Sequence, residues 1–118
     1  MKKMSTENDI LAELYTVVRS RCSTPSASSY VTALLQAGPD ALHAKIAEEA
    51  SELAGASASK DRTSIIHEAA DLWFHCMVLL GHHGIHPREI YEELRQRRGI
   101  SGLAEKAGRG GNHGVSGG

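Results

Sequence analysis

Apolar residues recur every three or four positions along most of this chain, a spacing typical of amphipathic helices. The first stripe predicts a helix that begins at a capping-box-like pair, Thr6 and Asp9, and ends near Ser20. Its apolar positions are Ile10, Leu11, Leu14, Val17 and Val18. One face of this helix should therefore lie against the rest of the domain.

A polar segment that contains a proline, residues 22–29, separates this helix from a short second helix, expected from about Ser29. Gly38 is a typical helix end, because glycine adopts the C-terminal cap conformation without strain. Asp40 then suits the N-cap of a third helix, predicted for residues 40–57.

The fourth predicted helix begins at Asp61 or Thr63 and is apolar on most of its faces. A helix of this kind is expected at the centre of a bundle. Gly81 and Gly84 are expected to break it, and Pro87 is a favourable first residue for a fifth helix.

No segment alternates convincingly with the period of a strand, so the predicted fold class is all-α. We expect an antiparallel bundle of about five helices with short connections and a dimeric core. A chain of 118 residues fits one domain. A domain of this size is small enough that oligomerisation would help to stabilise it. The domain is predicted to cover residues 1–107, followed by a flexible Gly-rich tail at residues 108–118.

Two pairs of carboxylates stand three residues apart, Glu49 with Glu52 and Glu68 with Asp71. On a helix, each pair projects from nearly the same face. Glu49 also lies within the apolar stripe of the third helix, where an ionised carboxylate is costly unless it is paired or bound to a metal. A polar turn lets the third and fourth helices fold back on each other, so all four acids can meet. Oxygen-only ligands favour Mg²⁺ when phosphates share the site.

The neighbours of these acids each allow two interpretations. Lys45 either forms an ion pair with Glu48 or Glu49, one turn away, or contacts a substrate phosphate. His75 is more readily explained as a structural donor to a backbone or carboxylate oxygen than as a metal ligand. Trp73 and Met77 are predicted to be core residues.

Charge and composition exclude several functional classes. The formal net charge is −1, with 13 basic and 14 acidic residues, whereas a protein that binds nucleic acid electrostatically would be more basic. Cys22 and Cys76 lack the spacing of a zinc or redox motif. No apolar run is long enough to cross a bilayer. We therefore expect a cytoplasmic protein that partners neither nucleic acid nor membrane.

Several stretches, taken together, resemble one known family. They are Ser29-Tyr30-Val31-Thr32, Leu34-Leu35, Gly38-Pro39-Asp40, Lys45-Ile46-Ala47-Glu48-Glu49-Ala50, and Glu68-Ala69-Ala70-Asp71-Leu72 with His75. This pattern is similar to the phosphoribosyl-ATP pyrophosphatase family, the histidine-pathway branch of the MazG-like all-α nucleotide pyrophosphohydrolases. The resemblance covers about residues 8–107, including the ending at residues 101–107. Ala47 departs from it, since family members usually have glycine there.

The resemblance implies hydrolysis of phosphoribosyl-ATP to phosphoribosyl-AMP and pyrophosphate, the second step of histidine biosynthesis. The implied Mg²⁺ ligands are Glu49, Glu52, Glu68 and Asp71. The implied catalytic carboxylates are Glu48, Glu49 and Glu52. Glu48 and Glu52 both remain candidates for accepting the proton of the attacking water, and Lys45 would hold a phosphate.

Two alternatives stay open on the sequence alone. The first is a MazG-like house-cleaning nucleoside triphosphate pyrophosphohydrolase that uses the same acids. The second is a non-enzymatic helical dimerisation module whose acids are surface or interface charges. We also expect a homodimer, and a stand-alone enzyme without the cyclohydrolase domain to which members of this family are often fused.

Overall fold

The computed structural model describes residues 9–98, which form five α-helices and, within that range, no β-strand. The helices are α1 (Ile10–Ser23), α2 (Tyr30–Ala37), α3 (Pro39–Ser59), α4 (Arg62–His82) and α5 (Pro87–Arg98). Helices α1 to α4 belong to one compact unit that ends at Pro87, and α5 from Arg88 onward belongs to another. The all-α prediction is confirmed.

The first helix is longer than its apolar stripe predicted. Asp9 is its N-cap, and the carboxylate of Asp9 accepts a hydrogen bond from the backbone N–H of Ala12 at 3.3 Å. Thr6, the other half of the predicted capping box, lies outside the described residues. The helix continues past Ser20 to Ser23, because a polar surface turn needs no apolar residue to remain helical.

The junction between α2 and α3 corrects the predicted cap at Asp40. Ser29 caps α2 as expected, with its hydroxyl accepting from the backbone N–H of Thr32 at 3.1 Å. Gly38, at a φ of 99°, is both the C-cap of α2 and the N-cap of α3. Pro39 occupies the first turn of α3, where its fixed φ fits and its missing N–H costs nothing. Asp40 therefore lies inside the first turn.

The turn between α3 and α4 is tight. Lys60 adopts the left-handed conformation at a φ of 62°, and its backbone N–H donates to the carbonyls of Ala56 and Ser57, both at 3.1 Å. Close approaches of Glu49 to His75 and of Glu52 to Glu68 show that the two helices run antiparallel. The predicted hairpin of two acid-bearing helices is thus present.

Helix α4 is the central helix of its unit and packs against α1, α2 and α3. The core of this unit is formed by one buried residue from each of α1 to α4, namely Val18, Val31, Leu42 and Val78. The predicted break at Gly81 is wrong: α4 runs through it to His82. Gly81 is buried there because its backbone packs directly against Val18.

The prediction that Trp73 and Met77 are both core residues is half wrong. Met77 is buried, with 4% of its surface exposed, whereas Trp73 is 59% exposed. The two positions differ by about 40° on a helical wheel, and the edge of the buried stripe falls between them. Ile66, seven residues before Trp73, is 57% exposed. Among residues 9–98, no helix has the length and hydropathy needed to cross a membrane.

Candidate active site

The central residue of the candidate site is Glu49, which is buried in α3 with 4% of its surface exposed. The Lys45 ammonium nitrogen lies 3.5 Å from Oε2 of Glu49 and 3.8 Å from Oε1 of Glu48. The negative charge of Glu48 is the largest cause that raises the pKa of Lys45. Desolvation lowers this pKa, and the carboxylate of Glu49 raises it further. The ion pair expected for Lys45 is therefore present, and Lys45 is held at the edge of the site as a cation.

Three carboxylates from the two helices meet at one place. Glu49, Glu68 and Asp71 each offer an oxygen, and these oxygens lie within 4.8 Å of one another. Oε1 of Glu49 and Oε1 of Glu68 are buried and accept no hydrogen bond from the described residues. Buried, unpaired carboxylate oxygens at such separations are unfavourable unless a cation lies among them.

These three residues fit a divalent metal ion. The cluster offers only oxygen ligands, and its partly buried position suits a hard cation such as Mg²⁺. Three of the four predicted ligands are thus brought together.

Glu52, the fourth predicted ligand, lies beside this group rather than within it. Its pKa is raised, first by desolvation and then by the carboxylates of Glu68, Glu48 and Glu49. A side-chain hydrogen bond to Glu68 contributes least to this rise in pKa. A metal ion bound among the acids would relieve the repulsion that raises this pKa.

His75 is buried behind the acids and makes two hydrogen bonds. Its Nδ1 lies 2.8 Å from the backbone carbonyl of Asp71, so Nδ1 carries the proton and donates. In the neutral ring Nε2 is then an acceptor, and the hydroxyl of Tyr30, 3.0 Å away, donates to it. The structural interpretation of His75 agrees with this geometry. His75 Nδ1 also lies 4.0 Å from Oε2 of Glu49, so the ring forms one wall of the site.

Two site residues were missed by the sequence reasoning. Tyr30 belongs to one of the family-like stretches, but nothing in its local pattern predicts a pairing with His75 on a different helix. His67 lies with Nε2 at 3.4 Å from Oδ2 of Asp71, one turn before it on α4. The spacing of four residues between His67 and Asp71 was a signal that could have identified this contact.

Comparison with known proteins gives the same answer along nearly the whole described chain. Residues 11–98 match the family described as phosphoribosyl-ATP pyrophosphohydrolase. A curated relative from Geobacter metallireducens, named phosphoribosyl-ATP pyrophosphatase, is 47% identical over 106 residues, which cover 90% of this chain and 97% of the relative. Relatives with the same name from Chromobacterium violaceum and Neisseria gonorrhoeae are 46% identical over 101 residues and 42% identical over 102 residues. The aligned regions span 94% and 95% of these two relatives, respectively, and 86% of this chain in each case.

The matched region contains both acid-bearing helices and every residue of the carboxylate cluster. The family expected from the sequence is therefore confirmed. This chain belongs to the phosphoribosyl-ATP pyrophosphohydrolase family.

Proposed function

We propose that this chain carries out the reaction for which its relatives are named, the hydrolysis of phosphoribosyl-ATP to phosphoribosyl-AMP and pyrophosphate. The step is the second of histidine biosynthesis, and its expected location is the cytoplasm. The observation that carries the proposal is the meeting of Glu49, Glu68 and Asp71 within 4.8 Å. In a helical dimerisation module that binds no cation, three carboxylates held together in a partly buried site would be destabilising.

The proposed ligands of the metal are Glu49, Glu68 and Asp71, with Glu52 completing the set when the ion is bound. The proposed metal is Mg²⁺, which would neutralise charge on the phosphoanhydride oxygens and lower the pKa of the attacking water. Two buried oxygens without hydrogen-bond partners, one on Glu49 and one on Glu68, support this assignment. His75 orients the site from behind, since both of its ring nitrogens are engaged.

Glu48 and Glu52 are the proposed candidates for accepting the proton of the attacking water. Glu48 is tied to Lys45 at 3.8 Å, whereas Glu52 faces Glu68. Comparing Glu48→Gln with Glu52→Gln at several pH values separates them. The variant that loses the acidic limb of the pH–rate profile identifies the acceptor.

Lys45 is the proposed phosphate contact. In the structure its ammonium group is paired with two carboxylates, at 3.5 and 3.8 Å. Carboxylates that turn toward a bound metal would leave this ammonium group available to a phosphate oxygen. Lys45→Met should then raise KM more than it lowers kcat, because a contact made with substrate and transition state alike contributes to binding.

A homodimer is also part of the proposal. Trp73 and Ile66 are both more than half exposed and lie seven residues apart on one edge of α4. Large apolar side chains placed together in this way suit a two-fold interface. Sedimentation at micromolar concentration should show a dimer that Trp73→Glu dissociates. A wild-type monomer would exclude this part of the proposal.

The substrate is tested by a panel assay. Purified protein with Mg²⁺ is given phosphoribosyl-ATP and, separately, the ordinary nucleoside triphosphates, and pyrophosphate release is measured for each. Our proposal requires kcat/KM for phosphoribosyl-ATP to exceed that for every other nucleotide in the panel. A preference for a nucleoside triphosphate would instead support the house-cleaning activity.

A further inference from the structure

A second group of polar side chains lies near the other end of α4. A cavity of about 350 Å³ is lined by residues from the last turns of α1, from α2 and from the end of α4. The lining includes Arg19, Arg21, Thr32, Gln36 and His82. Among residues 9–98, the side chains that line this cavity include no carboxylate. Its chemistry is thus opposite to that of the acidic cluster.

The cavity is separate from the carboxylates. His82, which lines the cavity, follows Asp71 on the same helix by eleven positions, or about 16 Å along the helix axis. The lining shares no residue with the cluster of Glu49, Glu68 and Asp71. A ligand in the cavity would therefore not touch the residues proposed for hydrolysis.

Two arginines give the cavity its charge. Nη1 of Arg19 donates to the carbonyl of Gly81 at 2.9 Å, which holds this guanidinium in place and uses one of its five N–H donors. Nε of Arg21 is buried and has no hydrogen-bond partner among the described residues. Neither arginine forms an ion pair with a described carboxylate. A buried N–H of a cation without an acceptor is costly, so an anionic acceptor would stabilise it.

Thr32 supplies an independent observation. Its side chain is buried, with 4% of the residue exposed, and its oxygen accepts a hydrogen bond from the backbone N–H of Ser26 at 3.0 Å. The hydroxyl proton is then left to donate, and it has no acceptor among the described residues. A buried hydroxyl and a buried guanidinium N–H therefore line the same cavity, and within residues 9–98 the Nε–H of Arg21 has no acceptor.

We infer that this cavity is an anion site that binds a small phosphomonoester. Two guanidinium groups match the double negative charge of a phosphomonoester, and their planar arrangement of donors suits phosphate oxygens. The hydroxyl of Thr32 and the amide of Gln36 add neutral hydrogen-bonding groups. The volume leaves room for a small organic group attached to the phosphate.

The test is an NMR titration of ¹⁵N-labelled protein at low ionic strength, in buffer freed of divalent cations with a chelating resin. Without a divalent cation the acidic cluster repels anions, so binding there does not contribute. The probes are inorganic phosphate and ribose 5-phosphate. We expect saturable shifts of the Arg21 Nε–H signal and the Thr32 amide signal, larger than those at Glu68 and Asp71. Shifts centred on the acids, or shifts that do not saturate, would overturn the inference.

Arg21→Gln should weaken binding of either probe by about tenfold or more, the loss expected for one charge-assisted contact. Arg62→Gln is the matched control, because it makes the same change in net charge as Arg21→Gln. Arg62 is an exposed arginine at the start of α4. Equal effects of the two variants would refute a specific site. The wild-type Nε–H titration needs no variant, so the inference stays testable even if Arg21→Gln fails to fold.

Turnover of phosphoribosyl-ATP distinguishes this inference from the proposed function. Folded Arg21→Gln should keep kcat within about twofold of wild type, because Arg21 lies away from the acids. A loss of kcat parallel to the loss of anion binding would contradict a separate site. Conversely, failure of anion binding with normal turnover would remove the second site and leave the proposed function unaffected.

Discussion

The hydroxyl of Tyr30 donates to Nε2 of His75 at 3.0 Å and so joins α2 to the buried ring behind the carboxylates. Tyr30→Phe leaves Nε2 of the buried His75 ring without its hydrogen-bond donor. We expect a loss of about 1–3 kcal/mol in the free energy of unfolding, measured by urea denaturation. Tyr15→Phe is the control, since its hydroxyl makes no hydrogen bond among the described residues. Equal stabilities of the two variants would show that the Tyr30 bond is not formed in solution.

The contact between Gly81 and Val18 makes a second prediction. A Cβ built on Gly81 would lie 2.5 Å from Cγ1 and 2.7 Å from Cβ of Val18, which is itself buried and branched. Gly81→Ala should destabilise the protein by about 1–3 kcal/mol, because α1 and α4 must separate.

Gly55→Ala is the matched control for that substitution. A Cβ at Gly55, within α3, would meet nothing within 4 Å. This variant should gain up to about 1 kcal/mol from the higher helix propensity of alanine. Opposite signs for the two variants in the same denaturation experiment confirm the close packing of α1 on α4. A stabilised Gly81→Ala variant would contradict it.

The two cysteines should differ in reactivity. Cys22 is exposed, whereas Cys76 is partly buried and its pKa is raised by desolvation. A raised pKa lowers the thiolate fraction at neutral pH, and thiolate is the reactive form. With a maleimide at pH 7 we expect Cys22 to be labelled first and Cys76 to become competitive only as the pH increases. Mass spectrometry of the peptides tests this, and faster labelling of Cys76 at pH 7 would refute it.

The raised pKa of Glu52 predicts how stability depends on pH without metal. The pKa of Glu52 is higher in the folded than in the unfolded protein, so protonation of this carboxyl group favours folding. This stabilisation is lost as the pH rises through the pKa of the folded state. In EDTA at pH 7, Glu52→Gln should therefore melt at a higher temperature than wild type, and the difference should shrink toward pH 4. Glu13→Gln, on the exposed side of α1, is the control. A less stable Glu52→Gln variant at pH 7 would disprove the proposed repulsion.

The sequence predicted the five helices and the meeting of Glu49, Glu68 and Asp71, because both follow from periodicity and from one tight turn. It was less accurate where a choice depended on tertiary contacts. The low helix propensity of glycine predicts an end of α4 at Gly81. The helix nevertheless continues through Gly81, which packs closely against Val18.

Side-chain partners on different helices were the hardest to predict. The pairing of Tyr30 with His75 joins residues 45 positions apart, and no local pattern contains it. The apolar faces of α4 predict a core position for Trp73, but only packing decides which of those faces is covered. The roles of the individual acids in catalysis remain predictions.

The most direct test of the central claim is the steady-state rate of pyrophosphate release from phosphoribosyl-ATP at saturating Mg²⁺ by Glu49→Gln. The substitution keeps the shape of the side chain and removes the buried negative charge that the other carboxylates face. We predict a fall in kcat of at least about a hundredfold with the fold retained, while Glu13→Gln stays at the wild-type rate. A folded Glu49→Gln variant with nearly the wild-type kcat would contradict the carboxylate site as the centre of hydrolysis.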